Sequence, residues 1–153
     1  MKRTALLMAT LAVVGCAWSQ NLNKAEAKAL QNFAAQTSAV GNTNADVVNF
    51  TGNNVVNMPG VTVENGHVTA IKWNKKDLSG VLDLTNFPNL VSVDVSDNKL
   101  TALNVTNAPA LVTLNASKNR LKEVTLSGVD QLQVLELNKN RISEILFLLS
   151  SNT

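Results

Sequence analysis

The chain has one histidine, one cysteine and no tyrosine in 153 residues, and aromatic residues make up 4% of it. Each shortage closes off a class of function. His67 and Cys16, alone of their kinds, cannot supply the set of nitrogen and sulfur ligands that a zinc site takes, so no metal site is expected. His67 beside a turn reads as a solvated residue. A single cysteine also excludes an internal disulfide framework, and stability must come from packing. There is no glycine-rich phosphate loop, no nucleophile motif and no interleaving of aromatic with basic residues, so no catalytic residue and no cofactor is expected. Charge of one sign is missing as well. Lys and Arg number 13 against 11 Asp and Glu, and Lys2 and Arg3 fall in a segment expected to be removed, which balances the two signs and argues against a nucleic-acid binder. A length of 153 residues, 45% of them hydrophobic, suits one domain.

What the chain does have is a repeat. In blocks of 21 it reads LVSVDVSDNKLTALNVTNAPA from Leu90, LVTLNASKNRLKEVTLSGVDQ from Leu111 and LQVLELNKNRISEI from Leu132. A fixed period of this length signals a solenoid. Apolar residues recur at repeat positions one, four, six, eleven, fourteen and sixteen, as in Leu90, Val93, Val95, Leu100, Leu103 and Val105. Positions four and six alternate with polar neighbours, which marks a short strand with one buried face, and the other apolar positions suit a chain curling back over the same core. Asn98, Asn119 and Asn140 share position nine. An amide both donates and accepts, so it can satisfy backbone groups stranded inside a tight turn, from one coil to the next.

These residues resemble the leucine-rich repeat, LxxLxLxxNxL. The resemblance implies an α/β solenoid: a short, curved array with parallel strands on its concave face. Gly60-Val61-Thr62, Gly66 and Val68-Thr69 further resemble the N-terminal cap of plant-type and bacterial members, where a helix precedes this pattern. Met58 stands where that family has Trp, and Val63 where it has Cys, so the family's cap disulfide is absent. Leu78-Ser79-Gly80 resembles another recurrent family motif.

The expected organisation is an export signal in residues 1–19, a cap of helix plus short β segment in residues 20–67, and about four coils in residues 68–153. The first coil is degenerate and the last incomplete. Lys2 and Arg3 precede an apolar run at residues 5–14, too short for a bilayer and laid out as an export signal. Two cleavage readings stay open. Val13-Val14-Gly15-Cys16 resembles a lipobox, which would lipidate Cys16, tie the protein to a membrane and make it an outer-membrane lipoprotein. Ala17-Trp18-Ser19 resembles an ordinary signal peptidase site, fits the spacing rule better and would discard Cys16. Asn23 and Glu26 have capping-box spacing before a helix expected at about residues 24–36, and residues 41–59 read as irregular. Asn65-Gly66 marks a hairpin turn. In the degenerate coil Lys76 replaces the position-nine asparagine, so the amide ladder should start at Asn98. Ile145-Leu146-Phe147-Leu148-Leu149 overruns the repeat, and an open solenoid end there favours self-association.

Two surfaces are candidates for binding. Positions three, five and seven point outward from the expected strands and include Lys72, Asn74, Asp94 and Ser96, then Asn115, Ser117, Glu136 and Asn138. That face is small, roughly 350 Å² by strand spacing and length, against about 800 Å² per partner in a standard interface. It lacks the Trp, Tyr and Arg anchors that dominate binding energy. Positions eight and ten form a second stripe, in which Lys118, Arg120, Lys139 and Arg141 gather without an acidic residue. The stripe suits an acidic protein, an anionic glycan or a lipid headgroup, and its bland reading is a soluble loop. The expected function is non-enzymatic binding of another protein or a surface glycan by a secreted or cell-surface protein. The alternative is a structural fragment of a larger surface adhesin.

Overall fold

The computed structural model describes residues 22–52 and 54–148. The export-signal segment with Cys16, and Leu149 at the end of the apolar run, lie outside these residues. From Val68 the chain winds in turns of about 21 residues, about four in all, and each turn gives one strand to each of two sheets. The first sheet runs β1 (Val61–Glu64), β2 (His67–Lys72), β4 (Ser92–Asp94), β6 (Thr113–Asn115) and β8 (Val134–Glu136). The second runs β3 (Ser79–Thr85), β5 (Lys99–Thr106), β7 (Glu123–Ser127) and β9 (Glu144–Leu148). Only β1 and β2 pair antiparallel; the coils stack their strands in parallel.

The return limb of each coil is therefore a strand. The expected parallel-strand repeat is present, but its α component is absent from the coils, and among the described residues every helical segment lies before Met58. The physical reason is a half-repeat inside each block of 21. Val93-Asp94-Val95-Ser96-Asp97 and Leu103-Asn104-Val105-Thr106-Asn107 share one pattern: apolar, Asp or Asn, apolar, Ser or Thr, then a residue in left-handed backbone conformation. Alternation makes a strand with one face inward. The acidic or amide oxygen then receives the hydrogen bonds of the residue two places on, which bends the chain out of the strand: Asp94 Oδ1 accepts from the Ser96 amide at 3.0 Å and hydroxyl at 2.7 Å. Two such limbs per coil leave no length for a helix.

Between the sheets lies a single apolar core. Leu90, Val93, Val95, Leu100, Leu103 and Val105 are all 1% exposed or less, each contributing about 1.5–3 kcal/mol by burial. The polar exceptions at its corner are the ladder asparagines. Asn119 Nδ2 donates to the carbonyls of Val95 (3.0 Å), Ala116 (3.1 Å) and Ser117 (3.2 Å), and its Oδ1 accepts from Leu100 N–H (3.0 Å). Asn98 does the same one coil earlier, accepting from both Lys76 and Leu78 N–H. Asn140 binds Ala116 and Leu137 carbonyls and Leu121 N–H. The ladder starts at Asn98 as the sequence suggests.

Before the coils, α1 (Lys24–Ala34) starts at Asn23, whose side chain accepts from the Ala25 and Glu26 amides. Leu30 and Phe33 face the core, where Phe33 stacks on Trp73 at 5.6 Å. The stretch expected to be irregular contains α2 (Asn44–Val47) and a 3-10 turn at Val55–Asn57. A Thr43–Asp46 capping box starts α2, and the Thr43 bonds hold the Asp46 carboxyl below its ordinary value of 3.8; the box therefore contributes above that pH and is lost on stronger acidification. Two side-chain amides close the edge of β3. Gln36 donates to Val81 C=O and accepts from Val81 N–H, both at 2.9 Å, and Asn44 does the same for Ser79 at 2.8 and 3.1 Å. Residues two apart on a strand present their backbone groups to the same edge, so the two amides stand in for a neighbouring strand. Gly80 between them has φ +95°, and a Cβ there would collide with Gln36 Oε1.

At the other end, the apolar run does not overrun the repeat. Ile145 and Phe147 pair in register with Val124 and Leu126, so they hold positions fourteen and sixteen of the third block. What departs from the pattern is Leu146 and Leu148, which stand where earlier coils carry Asp83, Asn104 or Thr125 and Thr85, Thr106 or Ser127.

Asn119→Ala should cost about 1–3 kcal/mol by stranding buried backbone groups, whereas Lys118→Ala, exposed beside it and no better suited to its left-handed backbone, should cost less than about 1 kcal/mol; urea denaturation of both reads the difference. Gly80→Ala should cost about 1–3 kcal/mol, and less of that cost should remain in a Gln36→Ala chain, because the collision is gone and only the backbone strain persists.

Candidate functional site

The outer face of the first sheet holds the first set of candidate residues. Lys72, Asp94, Asn115 and Glu136 stand side by side in the strand register, and Asn74, Ser96, Ser117 and Asn138 follow at the strand ends. Half of this set serves the fold. Asp94 and Ser96 bond each other, and Asn115 Oδ1 accepts from the Ser117 amide and hydroxyl at 3.0 and 2.8 Å. Ser117 is 7% exposed, so it offers little surface to a partner. Asn115-Ala116-Ser117 and Asn104-Val105-Thr106 match glycosylation sequons in form, but here the pattern is the turn device of the half-repeat. Lys72, Glu136 and Asn138 remain exposed, too few and too mixed in sign to define a site.

The second stripe is built differently. Lys118, Arg120, Lys139 and Arg141 are all exposed, and their backbones are pinned from coil to coil. Lys118 N–H donates to Asn138 C=O at 2.9 Å, Arg120 N–H to Leu100 C=O at 3.0 Å and Arg141 N–H to Leu121 C=O at 3.0 Å. Stacked coils of a parallel sheet repeat at about 4.8 Å, so the four cations project from anchors at close, fixed spacing. Lys99 and Lys122 extend the stripe at positions ten and twelve. Among the described residues the one carboxylate within salt-bridge distance of a basic side chain is that of Glu26 beside His67, so none of the four cations is paired, and Asp97 is the acidic residue at position eight of the coil before Lys118. Lys118 and Lys139 have φ of 55° and 57°, a conformation in which only glycine, asparagine and aspartate are at ease.

His67 is not a solvated turn residue. Its ring is half-buried, with Nδ1 2.7 Å from Glu26 Oε1, while Glu26 Oε2 accepts from Val68 N–H at 2.7 Å. Glu26 is fully buried in the first turn of α1, and Asn23 N–H binds Gly66 C=O at 2.8 Å, which docks the helix start on the Asn65-Gly66 turn. A buried carboxyl group must be hydrogen-bonded, and this one is, at both oxygens. The partners are far apart in sequence and follow no local spacing rule.

No cluster of three or more His, Cys, Asp or Glu that could hold a metal ion occurs among the described residues, and no helix among them is long and apolar enough to cross a membrane. A shallow groove of about 260 Å³ between α1 and β3 is lined by Lys28, Phe33, Val81 and Asp83 among others, with one charge of each sign and no convergent polar set. Comparison of the chain with models of protein families, with curated proteins and with solved structures finds no match. The basic corner is thus the surface with the most distinct chemistry.

Glu26→Ala should cost about 1–3 kcal/mol by leaving Val68 N–H without its acceptor, Glu26→Gln should retain most of the stability, and His67→Ala should cost under about 1 kcal/mol. Equal losses for all three in chemical denaturation would show that the pair does not anchor the helix.

Proposed function

We propose that the chain is an exported, non-enzymatic solenoid of leucine-rich repeat type that binds an acidic partner, a protein or an anionic surface glycan, through the corner formed by Lys118, Arg120, Lys139 and Arg141. One observation carries this reading. Both corners of the coil need left-handed backbone. One corner fills the requirement with Asn86, Asn107 and Gly128, and the other with Lys75, Asp77, Asp97, Lys118 and Lys139. A left-handed lysine is strained by about 1–2 kcal/mol relative to a residue suited to that conformation. Left-handed lysines stand at this corner in three coils, at Lys75, Lys118 and Lys139, and at the other corner in none, which supports a use for the charge beyond the solubility that any exposed lysine confers.

The leucine-rich repeat reading draws support from the position-nine amide ladder, and residues 20–67 in this view are a cap over the first coil's apolar end. Export rests on the layout of residues 1–19, with a secreted chain and a lipid-anchored one on Cys16 as its two forms. A fragment of a larger surface adhesin is the second reading, favoured by the apolar edge of the last described coil.

Replacing Lys118 and Lys139 by Asn, and Arg120 and Arg141 by Ser, separates use from stability. The variant should lose salt-sensitive retention on a sulfated polysaccharide or polyglutamate matrix, while its melting point stays level or rises, since Asn tolerates the backbone that Lys strains against. Unchanged retention would reject the corner as a binding site.

A further inference from the structure

The cations of the basic corner stand in rows, and the rows say more about a partner than the number of charges does. Position nine is turned inward in the second, third and fourth coils, where Asn98, Asn119 and Asn140 donate to the carbonyls of Val95, Ala116 and Leu137. Positions eight and ten flank it on the outside. The corner therefore presents two rows of side chains along the solenoid axis with only backbone between them. Row ten reads Lys99, Arg120 and Arg141 in successive coils. Each makes the same bond to the coil before it: Lys99 N–H to Leu78 C=O at 2.8 Å, Arg120 N–H to Leu100 C=O at 3.0 Å and Arg141 N–H to Leu121 C=O at 3.0 Å. Across the strip, row eight supplies Lys118 and Lys139, with Asp97 standing between them and Lys75. The strip also has a closed end. In the first coil position nine is Lys76, exposed where Asn98 is buried, and position ten is Asp77. Row ten is thus a continuous basic track from the second coil onward, stopped on one side by a carboxylate.

We propose that the partner of this corner is a linear polyuronate, a chain of sugar rings with one carboxylate on each, lying along the solenoid axis between the two rows. The proposal rests on the corner being the binding site and names what it binds. Positions eight, ten and twelve hold no apolar or aromatic residue in any coil, so a folded protein partner would find none of the anchors that dominate binding energy. A ligand held here by charge and hydrogen bonds alone must bring many anions to a narrow strip, which a linear polyanion does. Spacing then selects among polyanions. Coils repeat at about 4.8 Å, and a chain of linked six-membered sugar rings advances on the order of 5 Å per ring at ordinary bond lengths. Successive carboxylates stay in step with successive coils. An extended acidic peptide presents same-side carboxylates only every ~6.8 Å and falls out of step within two coils. A carboxylate turned to one side of the sugar chain meets row ten, where the planar forks of Arg120 and Arg141 match its two oxygens. One turned to the other side meets Lys118 or Lys139.

The test titrates the full chain with oligogalacturonates from the disaccharide to the octasaccharide, and with glutamate peptides of equal charge. Affinity should climb to about three or four sugars, the length of the track at one sugar per coil, and then level off. It should exceed the affinity for the matching glutamate peptide about tenfold. Lys99→Ser should weaken binding of the longer oligomers about threefold and reduce the salt slope by somewhat under one unit. Asp77→Asn keeps a residue at ease in left-handed backbone, removes the closing charge and should move the plateau out by one sugar. Lys24→Ser, on α1 and away from the corner, should change nothing. No binding of oligogalacturonate, equal affinity for the glutamate peptide, or no plateau with length would each overturn the polyuronate. The variant altered at Lys118, Arg120, Lys139 and Arg141 separates the two readings: if the chain binds the glutamate peptide as well as the sugar and this variant loses both, the corner stands and the glycan falls. If the variant keeps both, the corner itself falls.

Discussion

Backbone groups inside the corner at repeat positions six to nine set the terms for the coiled part of this chain. The turn there is tight and lies against the core, so the carbonyls of Val95 and Ala116 cannot reach water. Left unpaired, each would cost about 1–3 kcal/mol, as much as a buried side chain contributes by packing. Asn119 meets the need by reaching Val95 in the coil before it and Ala116 in its own. One amide therefore ties two coils, and it does so only if the coils are of equal length. The parallel register from β4 through β6 to β8 is unbroken. The ladder also has a direction. Each asparagine serves the N–H groups of the coil before it, which is why the first coil tolerates Lys76 at position nine: Asn98 supplies what Lys76 and Leu78 require.

The same accounting explains the N-terminal segment. Its helices bury apolar residues against the first coil, but its more specific contribution is polar. A parallel sheet edge facing a helix would leave alternate amides and carbonyls unmatched, and helices offer no backbone partners. Gln36 and Asn44 solve this with side chains that imitate a peptide group. The glycine at position 80 follows from that solution, since any Cβ would displace the Gln36 amide. Lys72 pairs with Asp94 but Ser79 with Lys99 and Val81 with Ala102, so register slips across the first corner and is restored at the Gly80 bulge.

Elements governed by local periodicity were legible in the sequence. The repeat, the apolar frame, the amide ladder and the Asn65-Gly66 turn all follow from spacing and side-chain chemistry within a few residues. The second sheet was legible too, although reading the block as one unit of 21 hides it; Asp94-Val95-Ser96 and Asn104-Val105-Thr106 are the same device twice. The Thr43–Asp46 capping box was likewise present in a stretch that composition alone marks as irregular. Other features could not be read. Glu26 and His67 meet through tertiary docking, and nothing near either residue announces the other. Ser117 alternates as an outward residue should, yet it is buried where Ser96, with the same bond one coil earlier, is not. The position of the basic stripe was apparent from spacing, whereas the backbone strain beneath Lys118 and Lys139 was not, because φ at a corner is set by the coil geometry.

Once the ladder fixes the backbone, the outward positions are free to vary without affecting the fold, so departures from their pattern carry the information about use. Two such departures occur. At position eight the corner holds aspartate once, at Asp97, and lysine three times, at Lys75, Lys118 and Lys139, although all four are left-handed. On the outer face of the second sheet, Leu146 and Leu148 stand where earlier coils carry Asp, Asn, Thr or Ser. Neither departure is asked for by the ladder, which would hold the same backbone with asparagine at the corner and threonine on the face, so what maintains them must act on the side chains from outside the coil.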